Sequence, residues 1–200
     1  MKNVIYLFLF FTTICCSQDK QPLIGETEYQ REANAKFKDA TKSPLTEKDR
    51  KSFKSLDFFK FDSTYVVTAS FEKLENQEVF EMQTSTERLP KYIKYGILTF
   101  EINAKEYKLF LYQNIELVKR EGYENHLFLP FLDNTNGEGS YGGGRYIDVQ
   151  IPEGGTMAID FNEAYNPYCA YNPNYSCPVV PLENYIDVEI KAGVKAYKKH

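Results

Sequence analysis

The chain has 200 residues, 42% of them apolar and 26% charged. That is enough for one domain with a true core, and too apolar for wholesale disorder. A net charge of -4, with no basic stripe, removes the electrostatic case for nucleic acid. Sixteen tyrosines and fifteen phenylalanines, with no tryptophan, lean toward strands.

The chain opens MKNVIYLFLFFTTICC. Lys2 supplies a positive start, and the apolar run Val4 to Phe11 is too short to span a bilayer. Thr12 and Thr13 precede Cys15 and Cys16. The pattern resembles a bacterial lipoprotein signal, with residues 1–15 removed and Cys16 lipidated. Cys15 is the alternative anchor, and an ordinary cleaved secretory peptide is the other reading. Either way the mature domain is expected outside the cytoplasm. The membrane is its partner through the lipid anchor, each buried acyl methylene contributing roughly 0.8 kcal/mol. Ser17-Gln18-Asp19 resembles the start of surface lipoproteins in Gram-negative lineages, so the expected place is the cell envelope at the outer membrane.

Residues 16–26 read as a polar tether, and 27–200 as a single β-rich domain with N-terminal helices. Tyr29, Ala33, Phe37 and Ala40 recur on one helical face, and Ser43-Pro44 ends that helix. Thr46-x-x-Asp49 resembles a capping box that opens a second, short helix reaching about Ser55. Phe53 and Leu56 are expected to face inward from it.

From Leu56 onward the period changes to that of strands. The expected strands are Thr64 to Phe71, Glu78 to Thr84, Ile93 to Ile102, Glu106 to Tyr112, Leu127 to Leu132, Arg145 to Ile151, Met157 to Phe161 and Tyr185 to Lys191. Gly96 suggests a bulge, Asn103-Ala104-Lys105 a hairpin turn, and Pro130 a break. The fold class is mainly β, an antiparallel barrel or sandwich with an N-terminal helical segment (α+β by content).

Candidate site residues concentrate between 126 and 184. Gly142, Gly143 and Gly144 lead into a strand without a Walker pattern or a dinucleotide fingerprint. They form a tight turn or leave room for a ligand beside Arg145, whose fork suits a carboxylate or phosphate. The competing role for Arg145 is a buried ion pair with Asp133, Asp148 or Asp160. Asp133 and Asp160 end strands, where acids commonly cap turns. Together with His126 they are the candidate acids and bases, and Asn162 is a candidate ligand-binding amide. Cys169 and Cys177 form an even pair, expected as a disulfide in an oxidising compartment, with free thiols or metal ligation as alternatives. Tyr168 and Asn172 belong to a Tyr/Asn-rich loop that can bind sugars by stacking and amide hydrogen bonds, or can be packed by its own rings.

Several of these segments carry a resemblance. They are Lys42-Ser43-Pro44-Leu45 with Arg50 and Phe53, and Tyr95-Gly96 with Leu98 and Phe100. Further on stand Leu129-Pro130-Phe131 with Asp133 and Thr135, and Tyr141-Gly142-Gly143-Gly144-Arg145-Tyr146. The strongest piece is Asp160-Phe161-Asn162, Ala164-Tyr165-Asn166-Pro167, Cys169-Ala170, Cys177-Pro178 and Pro181-x-Glu183-Asn184. From about Tyr29 to Tyr197 the chain is similar to the bacterial and archaeal family known as domain of unknown function 1684. Ser140 departs from it, standing where a threonine is expected. The resemblance implies no reaction.

Two function classes follow. The first is a non-catalytic envelope lipoprotein, a binding or structural module with a pocket for a small anionic or glycan ligand. The second is an extracytoplasmic enzyme, a hydrolase using the acids near the Gly-rich loop, with His126 or Cys169 as base or nucleophile. No complete catalytic constellation can be written, so the first is preferred. Neither a cofactor nor a metal is expected.

Overall fold

A computed structural model describes residues 24–197. The expected signal segment 1–15, both candidate lipidation cysteines, most of the expected tether, and the terminal His200 lie outside the described residues.

One antiparallel sheet carries the fold. Its strands are β1 (Val66–Lys73), β2 (Phe80–Glu81), β3 (Lys91–Ile102), β4 (Lys105–Asn114), β5 (His126–Phe131), β6 (Arg145–Gln150) and β7 (Thr156–Asp160). They run in the order β6-β5-β4-β3-β1-β7, with β2 pairing β3 off that path. The sheet curls into a half-barrel. Of the barrel and the sandwich, it is the barrel, left open between β6 and β7. The expected strand Glu78 to Thr84 shrinks to the two residues of β2, where Phe80 and Glu81 pair with Tyr92 and Lys91; beyond them the chain turns to other partners, with Thr84 bridging Pro178.

β3 and β4 form the longest hairpin. The register shifts between Lys94 and Gly96, the bulge that Gly96 suggests. A Cβ at Gly96 would stand 2.5 Å from the Phe71 ring, so the strand needs glycine there. Leu98, Phe100, Ile102, Tyr107, Leu109 and Leu111 point into a core shared with Leu127, Leu129, Phe131, Ile147, Ile159 and Phe161.

Pro130 does not break β5, contrary to expectation. It stays in register opposite Tyr146. The missing N–H falls where β4 and β5 separate, since their ladder holds only the Tyr112–Phe128 pair. Asn184 fills that gap. Its Nδ2 donates to Pro130 O at 2.6 Å and to Phe110 O at 2.9 Å, and its Oδ1 accepts from Phe110 N at 2.9 Å.

α1 (Glu28–Lys38) starts at Thr27, whose side chain accepts from Gln30 N. Its buried residues are Gln30, Asn34 and Phe37. The inward stripe is therefore more polar than the expected Tyr29–Ala33–Phe37–Ala40 face. Asn34 explains this: Nδ2 donates to Ile24 O and Oδ1 accepts from Leu56 N. α2 (Glu47–Ser52) opens at Thr46, which bonds the Asp49 amide and carboxylate.

The expected strand Tyr185 to Lys191 is an irregular segment instead. Its backbone serves several neighbours in turn. Ile186 N donates to Leu132 O, Val188 O accepts from Asn134 N, and the Ile190 and Ala192 carbonyls accept from Arg145. Ile186, Ile190, Ala192 and Val194 are nonetheless buried.

Candidate functional site

The Arg145 network comes first, because the Gly-rich loop leads into it. Arg145 is 0% exposed. Nη2 donates to Asp133 Oδ2 at 2.6 Å and to Ile190 O at 2.8 Å, and Nη1 donates to Ala192 O. Its guanidinium packs over the Phe131 ring. The other Asp133 oxygen accepts from Thr135 N, Thr135 Oγ1 and Ile190 N. The ligand-binding role expected for Arg145 is corrected: both terminal nitrogens are spent inside the core, and Nε, which has no partner, is sealed from solvent with them. Asp133 likewise has no free oxygen for acid–base work.

The Gly loop serves this closure. Gly144 is buried with φ +89°, and a Cβ there would meet Val180 and Phe131 O within 2.7 Å. Gly142 and Gly143 are exposed turn residues that border no cradle beside the buried Arg145. Asp160 caps the turn Phe161–Glu163 by accepting from Asn162 N. Asn162 Nδ2 donates to Asp160 and Asp62 O, while its Oδ1 accepts from Asp62 N. Asn172 donates to Pro44 O. Asn162 and Asn172 are thus tied into the backbone, not presented to a ligand.

Cys169 and Cys177 are free thiols, so the expected disulfide is corrected. Cys177 Sγ instead accepts from Cys169 N at 3.2 Å. Burial pushes the Cys177 thiol up to about 11, away from nucleophilic thiolate chemistry. Among the described residues no three of His, Cys, Asp or Glu gather as a metal would need.

The open site lies elsewhere. A pocket of about 610 Å³ sits between α1, the outer halves of β5 and β6, and the segments 163–171 and 177–178. Seven tyrosines line it: Tyr29, Tyr92, Tyr123, Tyr146, Tyr165, Tyr168 and Tyr171. On its wall the exposed Asp148 accepts from Tyr165 Oη at 2.7 Å and lies 2.9 Å from His126 Nε2. Burial, then the Asp148 charge, raises the Tyr165 phenol well above its ordinary range, so it remains a hydrogen-bond donor. His126 Nδ1 and Asn166 Oδ1 are buried without a partner. Asn166 Nδ2 is held by Lys195 O and Tyr171 Oη, which fixes the orientation of that free acceptor.

Strand geometry assigns these residues to the pocket. Side chains alternate along β6, so Tyr146 and Asp148 share the face opposite Arg145 and Ile147. An Arg145–Asp148 pair is therefore excluded by an odd separation. Phe128 is opposite Asp148 and His126 opposite Gln150, which sets His126 diagonal to Asp148. Of the residues singled out from sequence, His126, Tyr168 and Cys177 reach the pocket, while Asp133, Asp160, Arg145, Asn162 and Asn172 do not. Asp148, Glu163, Tyr29 and Asn166 were missed as a group. Alternation on β6 was the available signal for Asp148, but nothing in the sequence relates it to α1.

An open half-barrel roofed by one helix over a tyrosine-lined pocket defines a β-rich pocket domain. The chain belongs to the family described as "Protein of unknown function (DUF1684)", whose model matches residues 51–195. It is also similar to the solution NMR structure of an uncharacterised protein from Haloarcula marismortui. The two share 30% identity and a TM-score of 0.66, over 86% of this chain and 92% of that one. No curated protein matches it. The matched residues include His126, Asp148 and Tyr165 but begin after α1.

Proposed function

We propose that the mature protein is a lipid-anchored envelope protein of a Gram-negative bacterium, and that its domain binds a small ligand in the tyrosine-lined pocket. The observation that carries the binding reading is the pocket itself. It is concave and aromatic, with a few fixed polar groups, which is the usual make-up of a small-molecule site. Tyrosine faces suit the ring of a glycan, and the Asp148 and Asn166 oxygens suit its hydroxyls. The anionic ligand loses its support, because the only arginine near the Gly loop is closed off.

A thermal-shift screen of sugars, amines and carboxylates tests the pocket. Some compound is expected to raise the melting temperature of the wild type, with the shift reduced in Tyr165→Phe and Asp148→Asn. A panel without any stabiliser speaks against the reading. The anchor is tested by labelling cells with a fatty acid. Label is expected on the wild type and on Cys15→Ala, and is expected to disappear in Cys16→Ala. An unlabelled wild type overturns the lipoprotein assignment.

The His126–Asp148 pair favours one further reading, an enzyme with His126 as proton acceptor. Its Nε2 is held by the carboxylate and its Nδ1 has no partner, as an oriented base requires. Hydrolytic turnover that disappears in His126→Gln would establish it over simple binding.

A further inference from the structure

Several of the polar groups around the pocket are fixed acceptors. Tyr165 Oη is used on Asp148, and Tyr146 Oη is used on Pro178 O. Asn166, 1% exposed, presents an oxygen with no partner. Three carboxylates line the space, Glu32, Asp148 and Glu163, while Lys36 is the one lysine or arginine. Burial, then the neighbouring charges of Asp160 and Glu32, raises the Glu163 carboxyl above its ordinary 4.5. Desolvation leads that rise, and the like charges of Asp160 and Glu32 add to it. Lys36 Nζ lies 5.3 Å from the Tyr168 ring centroid. The chain's own ammonium therefore already occupies one aromatic face at the rim.

We infer that the pocket takes a small organic cation, an ammonium group on a compact ligand, held between the faces of Tyr29, Tyr165 and Tyr168 and the Glu163 and Asp148 carboxylates. Ring quadrupoles attract a cation even at a partly exposed site, and nearby carboxylates reinforce the attraction. The two carboxylates add charge and Asn166 Oδ1 adds an acceptor, against Lys36 as the one lysine or arginine among the described lining residues. This inference rests on the pocket being the binding site and adds the charge of what it binds. Lys36 then acts as an internal competitor.

The test is calorimetric titration of the full chain in non-ionic detergent with choline, its uncharged carbon isostere dimethylbutanol, glucose and acetate. Choline is expected to bind severalfold more tightly than the isostere, the range of a partly exposed cation–π contact with charge support. Glu163→Gln is expected to weaken choline severalfold and leave the isostere unchanged. Lys36→Gln is expected to tighten choline, a gain that partial unfolding cannot imitate. Equal or tighter binding of the isostere or acetate overturns the inference, as does weaker choline binding in Lys36→Gln. Glucose binding that is lost in Tyr165→Phe, with choline inert, keeps the pocket as a binding site and removes the cation. Binding by none of the four removes the cation, and the wider thermal-shift panel then decides the pocket.

Discussion

The Arg145 and Asp133 side chains are both fully buried, where either charge alone would be costly. Arg145→Ala leaves the Asp133 carboxylate buried and unpaired, and is expected to lower stability by about 3–5 kcal/mol in urea unfolding. The double variant Arg145→Met with Asp133→Leu should recover much of that loss, because both charges leave together. Equal losses in the single and double variants would show that the pair's hydrogen bonds to Ile190 and Ala192 matter more than its charge. Glu163 gives a pH-dependent expectation. Its folded pKa is raised, so the folded state holds its proton more tightly than the unfolded chain does. Its stabilising contribution is complete below the ordinary 4.5 and is lost as pH rises through the folded value. Glu163→Gln should therefore melt higher than wild type at neutral pH and equal to it in acid, as differential scanning calorimetry across pH can show. At this scale the sequence made Arg145 conspicuous, and an ion pair with Asp133 was one of its stated roles. The choice between partner and ligand depended on burial, which residue type does not reveal.

Elements were legible wherever local pattern governs them. Thr27 and Thr46 start helices, alternation marks β3 and β4, and Gly96 marks the bulge. They were misjudged where a distant side chain intervenes. Pro130 argues against a continuous strand, yet β5 continues because Asn184, 54 residues away, bonds its carbonyl. The Tyr185 to Lys191 stretch has strand composition, yet its Ile190 carbonyl is drawn to Arg145 and its other backbone groups to several different segments. Asn184→Ala would strand Phe110 N and the Phe110 and Pro130 carbonyls together. A loss of about 3 kcal/mol is expected, given about 1–3 kcal/mol for each buried group left unpaired, with amide exchange at Phe110 speeding up. Unchanged protection at Phe110 would mean that water or a shifted strand replaces the amide.

Over the whole molecule, the half-barrel leaves an open side that α1 and the 163–178 segments cover, and the pocket is the space they do not fill. The β3–β4 hairpin lies at the centre of the sheet and supplies the densest part of the core. Hydrogen exchange is therefore expected to be slowest there and fastest in residues 74–79 and 85–89, which are largely exposed and carry no regular strand. Exchange as slow in those loops as in β3 would contradict this ordering. The sequence by itself determined the β-rich class, the family, the helix starts and the main hairpin, because these depend on residues close together in the chain. Only the tertiary structure decided which charged groups are sealed and which are open. Asp133 and Arg145 closed on each other, and His126, Asp148 and Tyr165 came together under α1. The physical reason is that one face of β6 turns to the core and the other to the pocket, and which face meets which neighbour is set by strand register and curvature across the whole sheet.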